Sequence, residues 1–366
     1  EARGLICLTM APERIDQLNL PLQAPNNKAG FETAFTVSIE AAEGVTTGIS
    51  AYDRAHTIRV AAKPDAKPSD LDRPGHVFPL RAKPNGVLER MGQTEGSVDL
   101  AKLAGLQPAA VICEVMNDDG TMARVSDLIG FCEKHSLNMI SIKDMIEHRR
   151  RTETQVERIA ETVVPTVHGD FTTFGYRDLV DGTQYVALTK GDVQRDDVIV
   201  RVHSSCVTGD VFGSKRCDCG EQLEQSLQLI QRDGGVLVYL EQEGRGIGIV
   251  EKLRAYELQD QGYDTLDANT KLGHAVDTRD YYAASQILRD LGVKSIHLLT
   301  NNPDKVTSLT KYGTVVTERL GLETKPNGTN VDYLRTKRDR LGHILSADLG
   351  AATKAGARAT AGAGAH

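Results

Sequence analysis

The chain has 366 residues, 40% of them hydrophobic, and a formal net charge of −7. Single domains mostly run to about 100–200 residues, so this length predicts two globular domains with sizeable cores, and the acidic balance argues against general affinity for nucleic acid or anionic membrane. No apolar run reaches the roughly 18 residues that a membrane span requires, and no signal-peptide pattern is visible.

The sequence opens on Glu1 and not on a methionine, which leaves an upstream segment open. Up to about His148, short apolar runs (GLICL, AFTVSI, HTIRVAA, AAVICEV, NMISI) read as strands, and SVDLAKLAGL and VSDLIGFCEKH read as helices. Such alternation predicts an α/β layer architecture. The polar stretch HRRRTETQVERIAET reads as a helix end and a linker, with a domain boundary near Arg151.

Beyond it, ETVVPTVHGDFTTFGYRDLVDGTQYVALTKGDV alternates with period two between Gly and Asp turns, the pattern of an antiparallel meander. Then come a strand (GVLVYL), a Gly-rich loop (EQEGRGIGI), helices in VEKLRAYELQDQG and DTRDYYAASQILRDLG, a strand (SIHLLT) and a final helix (TKRDRLGHIL). The expected fold class is α/β, with two domains at residues 1–150 and 151–346, each a mixed sheet with flanking helices. The Ala- and Gly-rich residues 347–366 have little to bury and read as a disordered tail.

Six cysteines are too few for a disulfide scaffold in so long a chain, which points to a reducing cytoplasm. Cys206, Cys217 and Cys219 cluster in RVHSSCVTGDVFGSKRCDCGEQL. Structural zinc takes four protein ligands and catalytic zinc three, so three thiols fit a zinc that does chemistry. Buried core thiols fit the spacing about equally well. In Glu243-Gly244-Arg245-Gly246-Ile247-Gly248 the alternate glycines allow close backbone approach and Arg245 offers a fork for phosphate, although a strand-to-helix turn needs glycines for sterics alone. Lys305 stands near a helix start, where a solvated surface lysine is the plainer reading. Asp277, two residues before Arg279, reads most simply as a helix N-cap, and Tyr256 as a core ring.

Taken together these motifs are recognisable. From about Val164 to Leu345, RVHSSCVTGD, RCDCGEQL, QEGRGIG, KLRAYELQDQGYDT, DTRDY, LLTNNPDK and YLRTKRDRLGHIL occur in an order that resembles GTP cyclohydrolase II of riboflavin biosynthesis. The resemblance implies one zinc per chain, held by Cys206, Cys217 and Cys219, and hydrolysis of GTP to 2,5-diamino-6-(5-phosphoribosylamino)pyrimidin-4(3H)-one, formate and pyrophosphate. It places GTP contacts on Arg201, Val202, His203, Ser204 and Ser205, on Gln222, on Glu243, Gly244 and Arg245, and on Thr265, Thr300 and Lys305. It makes Asp277, Arg279 and Tyr256 catalytic, with Arg279 a nucleophile on the α-phosphate and Asp277 its proton acceptor. A guanidinium stays protonated at ordinary pH, so an electrostatic clamp is the competing role for Arg279. Magnesium with the triphosphate and a homodimer are implied too. Glu241, just before the phosphate loop, departs from the family pattern; weaker GTP binding or an altered metal requirement, and with it modest turnover, is the expectation.

The motifs AFTVSIEAAEGVTTGISAYDRAHTI, DRPGHVFPL and AAVICEVMNDDGTMARVSDL resemble 3,4-dihydroxy-2-butanone 4-phosphate synthase over Glu1 to about Ile146. Arg90, Thr94 and Glu114 fall at its substrate positions. The family's magnesium-binding acidic loop is expected upstream of EARGLICL, and Gln93 stands where its GHTE motif has a histidine ligand. A glutamine amide is a poor substitute for imidazole at a catalytic metal. The expected protein is therefore a GTP cyclohydrolase II with an inactive synthase-like domain. The alternatives are a bifunctional enzyme and a GTP-binding pseudoenzyme.

Overall fold

The computed structural model describes residues 2–28, 30–275, 277–346 and Leu349. The tail expected to be disordered, residues 347–366, lies outside the described residues apart from Leu349. The chain divides into two compact units, one ending at Arg149 and the other beginning at Arg150.

The first unit holds β1 (Cys7–Met10), α1 (Pro12–Gln17), β2 (Ile39–Ala41), α2 (Ala51–Ala62), β3 (Leu71–Arg81), α3 (Gln93–Leu103), β4 (Ala109–Ile112), α4 (Val125–His135) and most of α5 (Ile142–Thr152). Its sheet has the order β2-β3-β1-β4, with β1 parallel to β3 and the other pairs antiparallel. Leu8, Met10, Ile15, Leu18, Ile39 and Val77 form its core.

Three sequence expectations fail in this unit. HTIRVAA is not a strand but the second half of α2. Ser50 Oγ accepts the Asp53 N–H at 3.0 Å, and Asp53, Thr57 and Ala61, four apart, form its buried face. NMISI is irregular, with α5 starting at its last residue, and only the end of AFTVSI enters a strand. The longest strand, β3, went unread because it contains Pro74 and Pro79. Its partner β2 jumps register from Val77 to Asp72, so Pro74 sits in a bulge where no ladder N–H is needed.

The second unit holds β5 (Val156–Thr166), β6 (Gly169–Asp178), β7 (Gln184–Lys190), β8 (Val198–Ser204), α6 (Val207–Asp210), α7 (Cys219–Asp233), β9 (Gly235–Leu240), α8 (Gly248–Asp260), α9 (Thr265–Lys271), α10 (Tyr282–Asp290), β10 (Ser295–Leu299), α11 (Pro303–Lys311), β11 (Val315–Leu320) and α12 (Val331–Leu341). The sheet order is β11-β10-β8-β9-β7-β6-β5. Strands β11, β10, β8 and β9 run parallel, and β7, β6 and β5 form the antiparallel meander. The expected linker is only three residues long. VERIAET is the start of edge strand β5, exposed from Glu157 onward, and its charges and Pro165 protect the open edge.

Along β8, Val198, Val200 and Val202 face one core with Val236, Val238, Ile296 and Leu298. Period-two alternation turns Arg201 and His203 to the opposite face, where α7 packs through Ile230 against Phe171 and Leu237. From β8 the chain moves through α7 to β9 on one side, whereas β10 leads through α11 to β11 on the other. That divergence opens a crevice at the carboxyl ends of β8 and β10, the usual ligand position in an open α/β sheet.

Candidate active site

The loops after β8, β9 and β10 line one cavity of about 1100 Å³, counting its open mouth. Its zinc-ligand candidates converge: the sulphurs of Cys206, Cys217 and Cys219 all lie within 4.8 Å of one another, and Cys206 Sγ is 3.7 Å from Cys217 Sγ. Tetrahedral zinc with bonds of about 2.3 Å requires sulphurs about 3.8 Å apart, so the three thiols fit the ion. Gly209 makes the convergence possible, because a Cβ there would stand 2.8 Å from Cys217 Sγ and 3.1 Å from Cys206 Sγ. Hydrogen bonds from Cys217 and Cys219, then the Lys252 ammonium at 3.0 Å, pull the Cys206 thiol far below its ordinary range. By donating to Cys206, Cys217 is pushed up to about 11. Protons shared around one negative sulphur are what a divalent cation would displace.

Behind Cys206 stands a buried carboxylate. Asp210 accepts the Cys206 backbone N–H at 2.9 Å, the Tyr239 hydroxyl at 2.8 Å and His203 Nε2 at 3.1 Å. Burial drives the His203 pKa down, so the neutral ring donates to Asp210 and fixes it. Glu243 ties the β9 loop to the same shell, accepting from Val207 N at 2.6 Å and Lys252 Nζ at 2.7 Å.

Arg201, Arg245, Arg279 and Lys305 also line the cavity. Arg201 donates to the Leu299 carbonyl at 3.0 Å and to Gln222 Oε1 at 2.8 Å, bridging β8, β10 and α7. Lys305 is buried and donates to the Val202 carbonyl at 2.7 Å. Burial first, then Arg201, Arg279 and Lys337, push its pKa well below that of an ordinary lysine. Arg245 has φ 65°, a left-handed backbone that costs a non-glycine residue about 1–3 kcal/mol. Thr278 holds it there with bonds from N and Oγ1 to the Arg245 carbonyl. Among the described residues, Arg245 Nη1 is buried without a hydrogen-bond partner, a donor that an anion could satisfy.

Arg279 lines the cavity, with Nε 2.9 Å from Asp277 Oδ1. Asp277 is not an N-cap: α10 begins at Tyr282, and Asp277 sits in irregular chain, outside the lining, with its carboxylate spent on Arg279. Burial alone would lower the Arg279 pKa, but Tyr281 and Asp277 hold it above the usual guanidinium range. Tyr256 is a cavity wall, with the Arg216 guanidinium 5.0 Å from its ring centre. Burial raises its phenol, which therefore keeps its proton at neutral pH.

Arg201, His203, Ser204, Ser205, Gln222, Glu243, Gly244, Arg245, Thr265, Thr300 and Lys305 all border this cavity. Val202 does not. Its side chain is core and only its carbonyl turns toward the site. Glu241 is exposed and outside the lining. Gly244 and Gly246 serve packing, since Cβ atoms there would strike Ile247 and Thr278. Lys305, read as a surface lysine, is buried. Missed residues include Asp210, Asp218, Lys252, Tyr333, Lys337 and His343. Asp218 stood in plain view between two cysteines, and Lys337 and His343 stood in a motif that was read as a helix and a family signature without a role for either residue.

In the first unit, Arg90 pairs with Glu95 at 2.5 Å and Thr94 is buried at the start of α3. Glu114 Oε2 accepts the Leu5 N–H at 3.0 Å. Gln93 is exposed at the first position of α3.

Comparison with known proteins agrees with the division of the chain. The 3,4-dihydroxy-2-butanone 4-phosphate synthase family matches residues 1–148 and the GTP cyclohydrolase II family residues 157–321. Riboflavin biosynthesis protein RibBA of Aquifex aeolicus is 57% identical over 348 residues, covering 94% of this chain and 86% of that protein. The chain belongs to the RibBA family. RibBA of Salinispora arenicola is 55% identical, again over 94% of this chain and 83% of its own length. Among solved structures, RibBX, a two-domain 3,4-dihydroxy-2-butanone 4-phosphate synthase from A. baumannii, aligns with TM-score 0.63 and 38% identity over 87% of this chain and 85% of that one. As a RibBA relative the protein is an enzyme of riboflavin biosynthesis, with GTP cyclohydrolase II among its activities. No helix among the described residues is long and apolar enough to cross a membrane.

Proposed function

We propose that the second domain is a zinc-dependent GTP cyclohydrolase II, converting GTP and water to 2,5-diamino-6-(5-phosphoribosylamino)pyrimidin-4(3H)-one, formate and pyrophosphate. The observation that carries this reading is the convergence of three thiols and a group of buried cations on one cavity. Held by Cys206, Cys217 and Cys219, zinc would supply a Lewis acid that makes water a nucleophile at neutral pH, with a pKa of about 7.

The chain's own residues set the rest. Asp210 and Glu243 fix the backbone of the Cys206 loop. Arg245, Arg279 and Lys305 offer positive charge to a magnesium-bound triphosphate, and the repulsion that Lys305 feels from Arg201, Arg279 and Lys337 is relieved when an anion enters. Arg279 keeps its proton and acts as a clamp, with Asp277 fixing its fork. Tyr256, protonated at neutral pH, can donate to the guanine ring as it opens.

The first domain, in this proposal, does not make 3,4-dihydroxy-2-butanone 4-phosphate, because Gln93 offers an amide in place of a basic imidazole ligand. A homodimer in the cytoplasm completes the proposal. Support for self-association comes from Leu100, Leu103, Leu106 and Ile129, each at least 46% exposed in the first unit.

Two incubations test the assignment. With GTP, the purified chain should release one formate and one pyrophosphate per pyrimidine formed, and GTP bound without turnover would favour a pseudoenzyme. With ribulose 5-phosphate and magnesium it should release no formate, and butanone phosphate at a rate comparable to GTP turnover would establish the bifunctional reading instead.

A further inference from the structure

Helix α12 is polar, and of its eleven residues only Leu334 and Lys337 are buried. Most helices owe their place to an apolar face, so this one must be held chiefly by polar contacts. The most enclosed of these joins Lys337 Nζ to Asp218 Oδ1 at 2.6 Å, with the two side chains 11% and 2% exposed. Asp218 lies between Cys217 and Cys219. Its other oxygen accepts Gln222 Nε2 at 2.7 Å, and Gln222 Oε1 accepts from Arg201 at 2.8 Å.

The same helix roofs the cavity. Tyr333, one turn before Lys337, and His343, just past the helix, both face the site, and the Lys337 ammonium lies 4.6 Å from the Tyr333 ring centre. Beyond the helix, Ile344 N donates to the Asn301 carbonyl at 2.8 Å, fastening the segment to the loop after β10. Removing the lysine charge would leave a buried carboxylate unpaired within the cysteine turn, and a buried charge does not stay unpaired without movement.

We propose that Lys337 is a positioning residue: by holding Asp218 it locks α12 over the cavity and fixes the turn that presents Cys217 and Cys219. The inference rests on the zinc reading above. It assigns to the segment after β11 a part in keeping the metal shell formed, so roof and shell loosen together.

The test uses the full chain carrying Lys337→Met, Lys337→Arg or Asp218→Asn. Zinc retention is followed during dialysis against a chelator concentration that leaves the unaltered protein loaded, alongside kcat, KM for GTP and tryptic cleavage within α12. Lys337→Met is expected to lose zinc at least tenfold faster, to lower kcat at least tenfold with a smaller change in KM, and to expose α12 to trypsin, while Lys337→Arg recovers most of each. Combining Lys337→Met with Asp218→Asn should be no worse than the more damaging single change, because both act through one contact. A pair that merely stabilised the fold would lower the melting temperature and leave zinc loss and kcat below that temperature unchanged, which would overturn the proposal. Fully additive effects would overturn it too. Should Lys337→Met not fold, Asp218→Asn decides by the same zinc measurement. A chain that holds zinc but never turns over GTP would defeat the proposed function, and the zinc measurement would still judge this one.

Discussion

Replacing Gly209 by alanine adds one methyl group at the most crowded point of the proposed metal shell. The new Cβ would lie 2.8 Å from Cys217 Sγ, 3.1 Å from Cys206 Sγ and 3.2 Å from Cys219 Cβ. Non-bonded heavy atoms rest at about 3.5–4.0 Å, so the nearest sulphur must retreat by roughly 0.7 Å or more. A zinc site tolerates about 0.2 Å of error in its ligand distances. The clash therefore falls on metal affinity more than on folding, since a thiol free of metal can rotate away and alanine is otherwise a better helix residue than glycine. Gly209→Ala should fold with a melting temperature close to that of the chelator-treated parent, yet bind zinc at least 10–100-fold more weakly, the range seen when the support of a metal ligand is disturbed. Metal analysis after dialysis against graded chelator, with circular dichroism for the fold, reads both. Zinc affinity and turnover equal to the parent would refute the geometry.

Other expectations follow from single residues. Mass spectrometry of the enzyme quenched during GTP turnover should show no guanylyl adduct on Arg279, because Tyr281 and Asp277 keep that guanidinium protonated; a trapped adduct would restore the nucleophile. Arg245→Gly relieves a left-handed backbone, so its melting temperature should not fall, while KM for GTP rises at least tenfold; a KM near that of the parent would show that the orphaned Nη1 has no anion to meet. His343 is lowered to about 3 by burial first and then by Lys337, Arg279 and Arg245, against an ordinary 6.5. Between those values the unfolded chain holds a proton that the folded chain lacks, so stability is full above about pH 6.5 and falls as pH drops, by at most about 1.4 kcal/mol per unit. Melting curves at pH 7 and pH 5 should thus separate more for the parent than for His343→Gln, and equal separations would remove His343 from the account.

The strands and helices with clean periodicity were legible from residues alone: the meander from the second half of β5 to β7, GVLVYL as β9, SIHLLT as β10, and VSDLIGFCEKH as α4. Where tertiary context overrode local pattern, the reading failed. α2 looked like a strand because Thr57, Ile58 and Val60 are β-branched, while its Ser50 cap carried the helical signal. β3 was hidden by its two prolines, of which Pro74 is accommodated by a bulge in β3 opposite Ile39 and Glu40. The site was legible as motifs, not as electrostatics. The cysteine spacing and the loop around Arg245 could be read, but burial of Lys305, the Asp210 support behind Cys206 and the Lys337–Asp218 pair depend on chain segments far apart in sequence. Asp277 misled because an acid before a helix reads as a cap, whereas its carboxylate is committed to Arg279.

Zinc content and formate release, measured together on the parent chain and on Cys217→Ser, bear most directly on the central claim. One zinc per parent chain with formate formed from GTP is expected, with loss of both zinc and formate in the variant. Cys217→Ser retaining its zinc and its full turnover would contradict it.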